Sequence, residues 1–273
     1  MRLFISADLE GVAGVVSKEY LSPKGNEYRR ARELMTGEVN AAIEGALQAG
    51  VEEILVADSH GNMCNLIPEK LNSRARLISG SSRPLGMMEG VAANFSAVFF
   101  IGYHSRAGTQ ASVLAHTYSG QAVYRLKING SEQGELGLNS FLAGYYALPV
   151  VLVTGDLGLM DEVQDLLGAV ETAAVKEGRG RFSASSLHPE KARELVRDSA
   201  LRAIERLDSF QPLAPAGEQR MELLFPCSGM ADMAALTPGS GRIGPREVSF
   251  VTDDYLELYS AFRVMVGLAH LSG

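Results

Sequence analysis

The chain has no tryptophan, only two cysteines among its 273 residues, and no long apolar run. Cys64 and Cys227 lie far apart in sequence. Two thiols exclude a disulfide scaffold and a cysteine zinc site, and they suggest a reducing compartment. The longest purely apolar stretches, such as Val98 to Ile101 and Leu148 to Val153, fall far short of the roughly 18 residues a spanning helix needs. Basic blocks are missing too. The net charge of −7 argues against nucleic acid or an anionic membrane as partner. Met1 to Phe4 runs straight into a strand-like segment without a basic or apolar leader, so a cytoplasmic location is expected. What remains, at 46% hydrophobic and 21% charged residues, is the composition of a folded, enzyme-sized globular chain.

Apolar runs and helical patterns alternate through the first half. Leu3 to Ala7, Ile54 to Ala57, Leu77-Ile78, Ala97 to Ile101 and Val150 to Val153 read as buried strands. Asn26 to Ala49 reads as a helix, with Tyr28, Ala31, Leu34, Met35, Val39, Ala42 and Ile43 on helical spacing and Gly50 at its end. This alternation predicts an α/β fold, a mainly parallel sheet with helices on both faces. His116 to Ile128 reads as extended hairpin material turning at Gly120, Asn129-Gly130 as a two-residue hairpin turn, and Gly134 to Tyr146 as a helix. The texture then changes. A helix from Pro189 to about Leu207, strands near Met221 to Phe225 and Glu247 to Val251, and a helix from Asp253 to Leu271 predict a smaller α+β domain. The expected organisation is a catalytic metal-binding α/β domain over 1–188 and an oligomerisation domain over 189–273.

The chemistry clusters by position. Three predicted strands run at their carboxyl ends into Asp8-Leu9-Glu10-Gly11, Asp58-Ser59-His60-Gly61 and Gly102-Tyr103-His104-Ser105. Ligands of open parallel sheets bind outside those ends, so adjacent strands would bring Asp8, Glu10, His60 and His104 together. Two carboxylates and two imidazoles without sulfur suit zinc, manganese or iron. Taken singly, a carboxylate after a strand is more often a turn former, which is the better reading of Asp58. His188 and His270 read as surface residues. The stretch Gly239-Ser240-Gly241-Arg242-Ile243-Gly244 has the letters of a dinucleotide fingerprint. It lies between Pro238 and Pro245 and precedes a strand instead of opening a helix, so it implies no nucleotide. No Walker loop, nucleophile elbow or His-Glu-x-x-His helix is present.

Taken together, Ser6 to Gly11, Asp58 to His60, Gly102 to Ala107 and Gly134 to Asn139 resemble the signature segments of the zinc-dependent D-aminopeptidase family of bacterial dipeptide-transport operons. The likeness runs in register to about Lys176 and more weakly beyond. The resemblance implies two zinc ions per subunit, with Asp8 as the bridging ligand and Glu10, His60, His104 and Glu135 as the remaining protein ligands. It implies His116 as the catalytic residue, acting as nucleophile or as general acid or base. It also implies a homo-oligomer, a decamer of two stacked rings, that releases amino-terminal D-residues from short peptides. Glu135 by itself would be an ordinary first-turn helix carboxylate, and Asn139, one turn on, would place an amide over the site. Arg106 could bind a peptide carboxylate, although an ion pair is the commoner role for it and for Asp156.

The expected function is therefore a binuclear zinc aminopeptidase. A binuclear hydrolase of another amide or of a phosphate ester is the enzymatic alternative, and a peptide-binding component of dipeptide transport the non-enzymatic one. In the last predicted helix, Tyr255, Leu258, Tyr259, Phe262, Val266 and Leu268 offer a face for subunit contacts or, equally, for completing the domain's own core.

Overall fold

The computed structural model describes residues 1–272. Twelve strands occur among them: β1 (Arg2–Ala7), β2 (Glu53–Asp58), β3 (Ala75–Ile78), β4 (Ala97–Tyr103), β5 (Arg125–Ile128), β6 (Ser131–Gln133), β7 (Val150–Asp156), β8 (Glu171–Gly180), β9 (Ser183–Ser186), β10 (Gln219–Leu224), β11 (Ser240–Gly244) and β12 (Glu247–Thr252). Six α-helices accompany them: α1 (Tyr28–Gln48), α2 (Glu135–Tyr145), α3 (Leu157–Leu167), α4 (Pro189–Glu205), α5 (Ser228–Ala234) and α6 (Tyr255–Ala269).

The larger sheet has the order β3-β2-β1-β4-β7-β8-β9, and only the β8–β9 pair is antiparallel. Its central strands are apolar on both faces because both faces are covered. Leu3, Ile5 and Ala7 of β1 and Phe99 and Ile101 of β4 join the core under α1 and α4. Phe4, Val98 and Phe100 point the other way, into a core shared with α2, α6 and the second sheet. The chain leaves β1 toward β2 and β3, then returns to place β4 on the opposite side of β1. The carboxyl ends of β1, β2 and β4 thus flank a topological switch point, where open α/β sheets form their ligand crevice.

The smaller sheet, ordered β11-β12-β10-β5-β6, is antiparallel. Asn129 and Gly130 join β5 to β6 with positive φ values of 52° and 82°, as a two-residue hairpin turn requires. This sheet crosses the expected division at 188/189, because β5 comes before it and pairs with β10 beyond it, while β6 pairs with β5. Similarly, α4 packs on α1 of the larger unit.

Other expectations change. Residues 104–124 form a turn-rich loop and not a hairpin, with Leu114 and Tyr118 at φ 58° and 60°, so the extended segment begins only at Arg125. The backbone there forms no strand ladder and is held partly by side chains: Ala107 N donates to Thr117 Oγ1 at 3.1 Å and Val113 N to Asp156 Oδ2 at 2.8 Å. The apolar side of α6 is used inside the chain, with Tyr255, Leu258, Tyr259, Phe262 and Val266 buried in its core. The glycine-rich stretch 239–244 is largely the edge strand β11, followed by β12, and opens no helix. The helix α3, the strands β8 and β9, and α5 carried no signal strong enough to read beforehand.

Candidate metal centre

Asp8 and Glu10 leave β1 on a tight turn. Gly11 makes that turn possible: a Cβ on it would lie 1.9 Å from the Tyr103 carbonyl oxygen and 2.6 Å from the Gly102 carbonyl carbon. This close crossing brings the Asp8–Glu10 turn against the end of β4, where His104 begins the loop. His60 follows β2, and Glu135 opens α2. All five residues are buried. The extended hairpin expected from His116 onward does not form, yet the loop still carries His116 to the crevice. Its ring stacks on that of His104, and Nε2 lies 3.6 Å from Glu135 Oε1.

The three imidazoles share one arrangement. His60 Nε2–H donates to the Leu21 carbonyl at 2.8 Å, His104 Nδ1–H to the Ser105 carbonyl at 2.9 Å, and His116 Nδ1–H to the Leu114 carbonyl at 3.0 Å. A carbonyl can only accept, so these bonds fix each ring and aim its other nitrogen at the carboxylates. His60 Nδ1 lies 2.8 Å from Glu10 Oε2 and 3.3 Å from Asp8 Oδ1. His104 Nε2 lies 3.4 Å from Glu135 Oε1 and 3.6 Å from Asp8 Oδ2, is buried, and has no hydrogen-bond partner.

Two lone-pair atoms facing each other need a proton or a cation between them. Around His104 the gaps exceed hydrogen-bond length, which leaves room for an ion. The ligand atoms of Asp8, Glu10 and His60 lie within 4.8 Å of one another, as do those of Asp8, His104 and Glu135, and those of Glu10, His104 and His116. Asp8 belongs to both of the first two sets, which is the position of a bridging carboxylate. Oxygen and nitrogen donors of this kind fit a zinc-type divalent ion.

Buried carboxylates and imidazoles shift one another's proton affinities strongly in the crevice. Burial, then the neighbouring Glu10 carboxylate, pushes the Asp8 carboxyl up to about 8. Burial also acts to raise Glu10, but the His60 imidazole outweighs it and holds that carboxyl well below its usual range. Burial acts to lower both His60 and His104. The carboxylates override it, Glu10 foremost at His60 and Glu135 at His104, and both rings are pushed well up. His116 goes the other way: burial and the adjacent His104 lower its proton affinity.

A support layer lies beneath. The Lys176 ammonium, fully buried on β8, donates to the Glu10 carbonyl, to Val12 O at 2.9 Å and to Val15 O at 2.6 Å. Burial brings it down to about 8. Glu38 of α1 accepts from Ala13 N at 2.8 Å on the same turn. Tyr118 N–H donates to Glu135 Oε1 at 2.7 Å and orients that carboxylate. Sequence reading missed Lys176, Glu38 and Tyr118, since a lone lysine in a strand and a glutamate in a long helix carry no motif.

A curated D-aminopeptidase of Bacillus subtilis (strain 168) is 38% identical over 270 residues, covering 98% of each chain. A peptidase family described as D-aminopeptidase matches residues 1–264. The chain belongs to the D-aminopeptidase family. The solved structure of the Zn-dependent D-aminopeptidase DppA from Bacillus subtilis, a self-compartmentalizing protease, superposes with a TM-score of 0.96 at 38% identity, covering 99% of this chain and 98% of that one. Membership in this family makes the chain a peptide hydrolase, an aminopeptidase, with the α/β fold expected from the strand-and-helix pattern.

The remaining candidate residues stand away from the cluster's ligand atoms. The amide of Asn139 donates at 2.9 Å to the Tyr103 hydroxyl, which is in turn 2.8 Å from Ser6 Oγ in a buried network below the crevice. Arg106 pairs with Glu162 at 3.4 Å beside a separate cavity. Asp156 makes no ion pair among the described residues. It caps α3 through Leu159 N at 3.1 Å and anchors the loop at Ser112 and Val113. Asp58 is the turn former expected, accepting from the backbone of Asn65 and Leu66.

Proposed function

We propose that this chain is a zinc aminopeptidase that holds two zinc ions per subunit and removes amino-terminal D-residues from short peptides. The observation that carries this reading is the set of imidazoles, each fixed through one nitrogen, whose second ring nitrogens face Asp8, Glu10 and Glu135. Asp8 would bridge the two ions, Glu10 and His60 would complete one site, and His104 and Glu135 the other. A bound pair of this kind supplies Lewis acidity toward the scissile carbonyl and an acidified water.

The protein's own groups do the rest. Glu135 is held in one orientation by Tyr118 N–H, and the Glu10 backbone is fixed by Lys176. His116 is the imidazole in the crevice whose proton affinity is lowered, so at neutral pH it is available to take a proton at Nε2 and return it to the leaving amine. The B. subtilis protein is described as self-compartmentalizing, and we propose that this chain likewise closes into a homo-oligomer, a decamer of two stacked rings, around its active sites.

The test combines metal analysis of purified protein with a panel of D- and L-aminoacyl amides and p-nitrophenyl phosphate. Two zinc ions per chain and turnover of the D-amides support the reading. Turnover of the phosphate ester alone would replace it with the phosphoesterase alternative, and peptide affinity without turnover would replace it with the binding-protein one. Light scattering near 29 kDa, the monomer mass, would overturn the assembly.

A further inference from the structure

The crevice around Asp8, Glu10, His60 and Glu135 has a volume of about 140 Å³, enough for an amino-terminal residue but not for the rest of a peptide. His116 also lines a second and larger cavity of about 500 Å³, which lies within the size range of small-ligand sites. Ala115, Val123 and the exposed ring of Tyr124 give it apolar surface, and Arg125, Glu132 and Arg181 give it charge. Arg125 is already neutralised, by Glu247 at 3.1 Å and Glu132 at 3.8 Å. Arg181 is not. Among the described residues its guanidinium makes no ion pair and no side-chain hydrogen bond, and it rests over the Phe182 ring at 5.7 Å.

The position of Arg181 relative to His116 is fixed by the backbone. Arg181 sits at the tip of the β8–β9 hairpin, and its carbonyl accepts from Leu114 N at 2.8 Å, two residues before His116. Arg181 is exposed and solvated in the free protein, and on the rim of a cavity that shares His116 with the metal crevice it is placed to pair with an anion on a bound ligand. A guanidinium fork matches a carboxylate through paired hydrogen bonds.

We propose that this cavity holds the carboxyl-terminal part of the substrate and that Arg181 pairs with its free α-carboxylate. The enzyme is then selective for peptides short enough to span both sites, about 7 Å for a dipeptide and about 10 Å for a tripeptide, with an unblocked carboxyl terminus. This rests on the aminopeptidase reading, which places the substrate's amino end in the metal crevice.

The experiment measures kcat/KM of the zinc-loaded enzyme for a D-aminoacyl dipeptide and for its carboxyl-terminal amide, in wild type, Arg181→Gln and Arg181→Lys. Wild type should favour the free acid by about 2- to 5-fold, the scale of an ion pair at an exposed guanidinium. Arg181→Gln should bring the acid-to-amide ratio close to one, mainly through a higher KM for the acid, and Arg181→Lys should restore part of it. Equal use of acid and amide by wild type, or an equal loss on both substrates in Arg181→Gln, would overturn the assignment. A D-aminoacyl p-nitroanilide, which has no carboxyl terminus, separates the two readings. Wild type that cleaves the anilide but ignores the acid–amide difference sinks the Arg181 subsite alone, whereas wild type inactive on all three substrates sinks both.

Discussion

The rings of His104 and His116 lie face to face, 4.3 Å between centroids and 11° between planes. Each is tied by one nitrogen to a main-chain carbonyl, yet His104 is pushed toward its charged form and His116 toward its neutral one. Of the two stacked rings, His116 is the one poised to pick up and release a proton near neutrality. His116→Ala should therefore keep its zinc and its melting temperature while kcat falls by roughly 10²- to 10⁴-fold, the usual worth of a positioned acid or base. Metal analysis, thermal melting and single-substrate kinetics on one preparation check it. Lost zinc would make His116 a ligand, and unchanged turnover would assign the proton transfer elsewhere.

The sharing of Asp8 between two ligand sets predicts unequal losses. Asp8→Ala should release both zinc ions, whereas His60→Ala should weaken only the one held with Glu10. Equilibrium dialysis followed by elemental analysis gives the stoichiometries directly. One ion per chain in wild type, still present in Asp8→Ala, would disprove the bridge.

Glu38 gives a pH-dependent prediction. Burial raises its carboxyl from an ordinary 4.5 to about 7. Because the folded value is the higher one, its contribution to stability is complete below about pH 4.5 and is lost as pH rises through 7. Glutamine has no charge to bury. The difference in unfolding free energy between Glu38→Gln and wild type should thus shift by up to about 3 kcal/mol in favour of glutamine between pH 5 and 8. Urea unfolding of both proteins at several pH values measures this, and a difference that does not change with pH would refute it.

A methyl group at residue 11 has no space, since it would overlap the Tyr103 carbonyl. Gly11→Ala should destabilise the fold by about 3 kcal/mol, because backbone and not a flexible side chain blocks it. The displaced turn carries Asp8 and Glu10, two of the proposed ligands, so zinc affinity should fall as well. A variant with wild-type urea midpoint and zinc content would contradict the close crossing.

The ligands on strand ends were legible because they depend on short-range order: an apolar run, then a carboxylate or histidine, with parallel pairing left to place the ends side by side. Glu135 and His116 were not legible that way. Glu135 looks like any first-turn helix acid, and resemblance alone singled it out. His116 was assigned to extended hairpin material that does not form, because nothing in the sequence signals the positive φ at Leu114 and Tyr118, two residues to either side. Lys176 left no trace, since its partners are backbone carbonyls more than 150 positions away, and carbonyls have no sequence. Sheet membership failed for the same reason. The pairing of β5 with β10 joins segments about ninety residues apart.

That last pairing bears on how the protein is made. When residues 1–188 have left the ribosome, every proposed metal ligand has been synthesised, but β5 still lacks its partner β10. The helix that begins with Glu135 lacks α6, whose Tyr255 hydroxyl later donates to the Leu138 carbonyl at 2.9 Å. Glu135 therefore has no firm wall behind it until the final helix emerges. A chain in which α6 has not yet packed holds the start of α2, and the Glu135 carboxylate on it, less firmly.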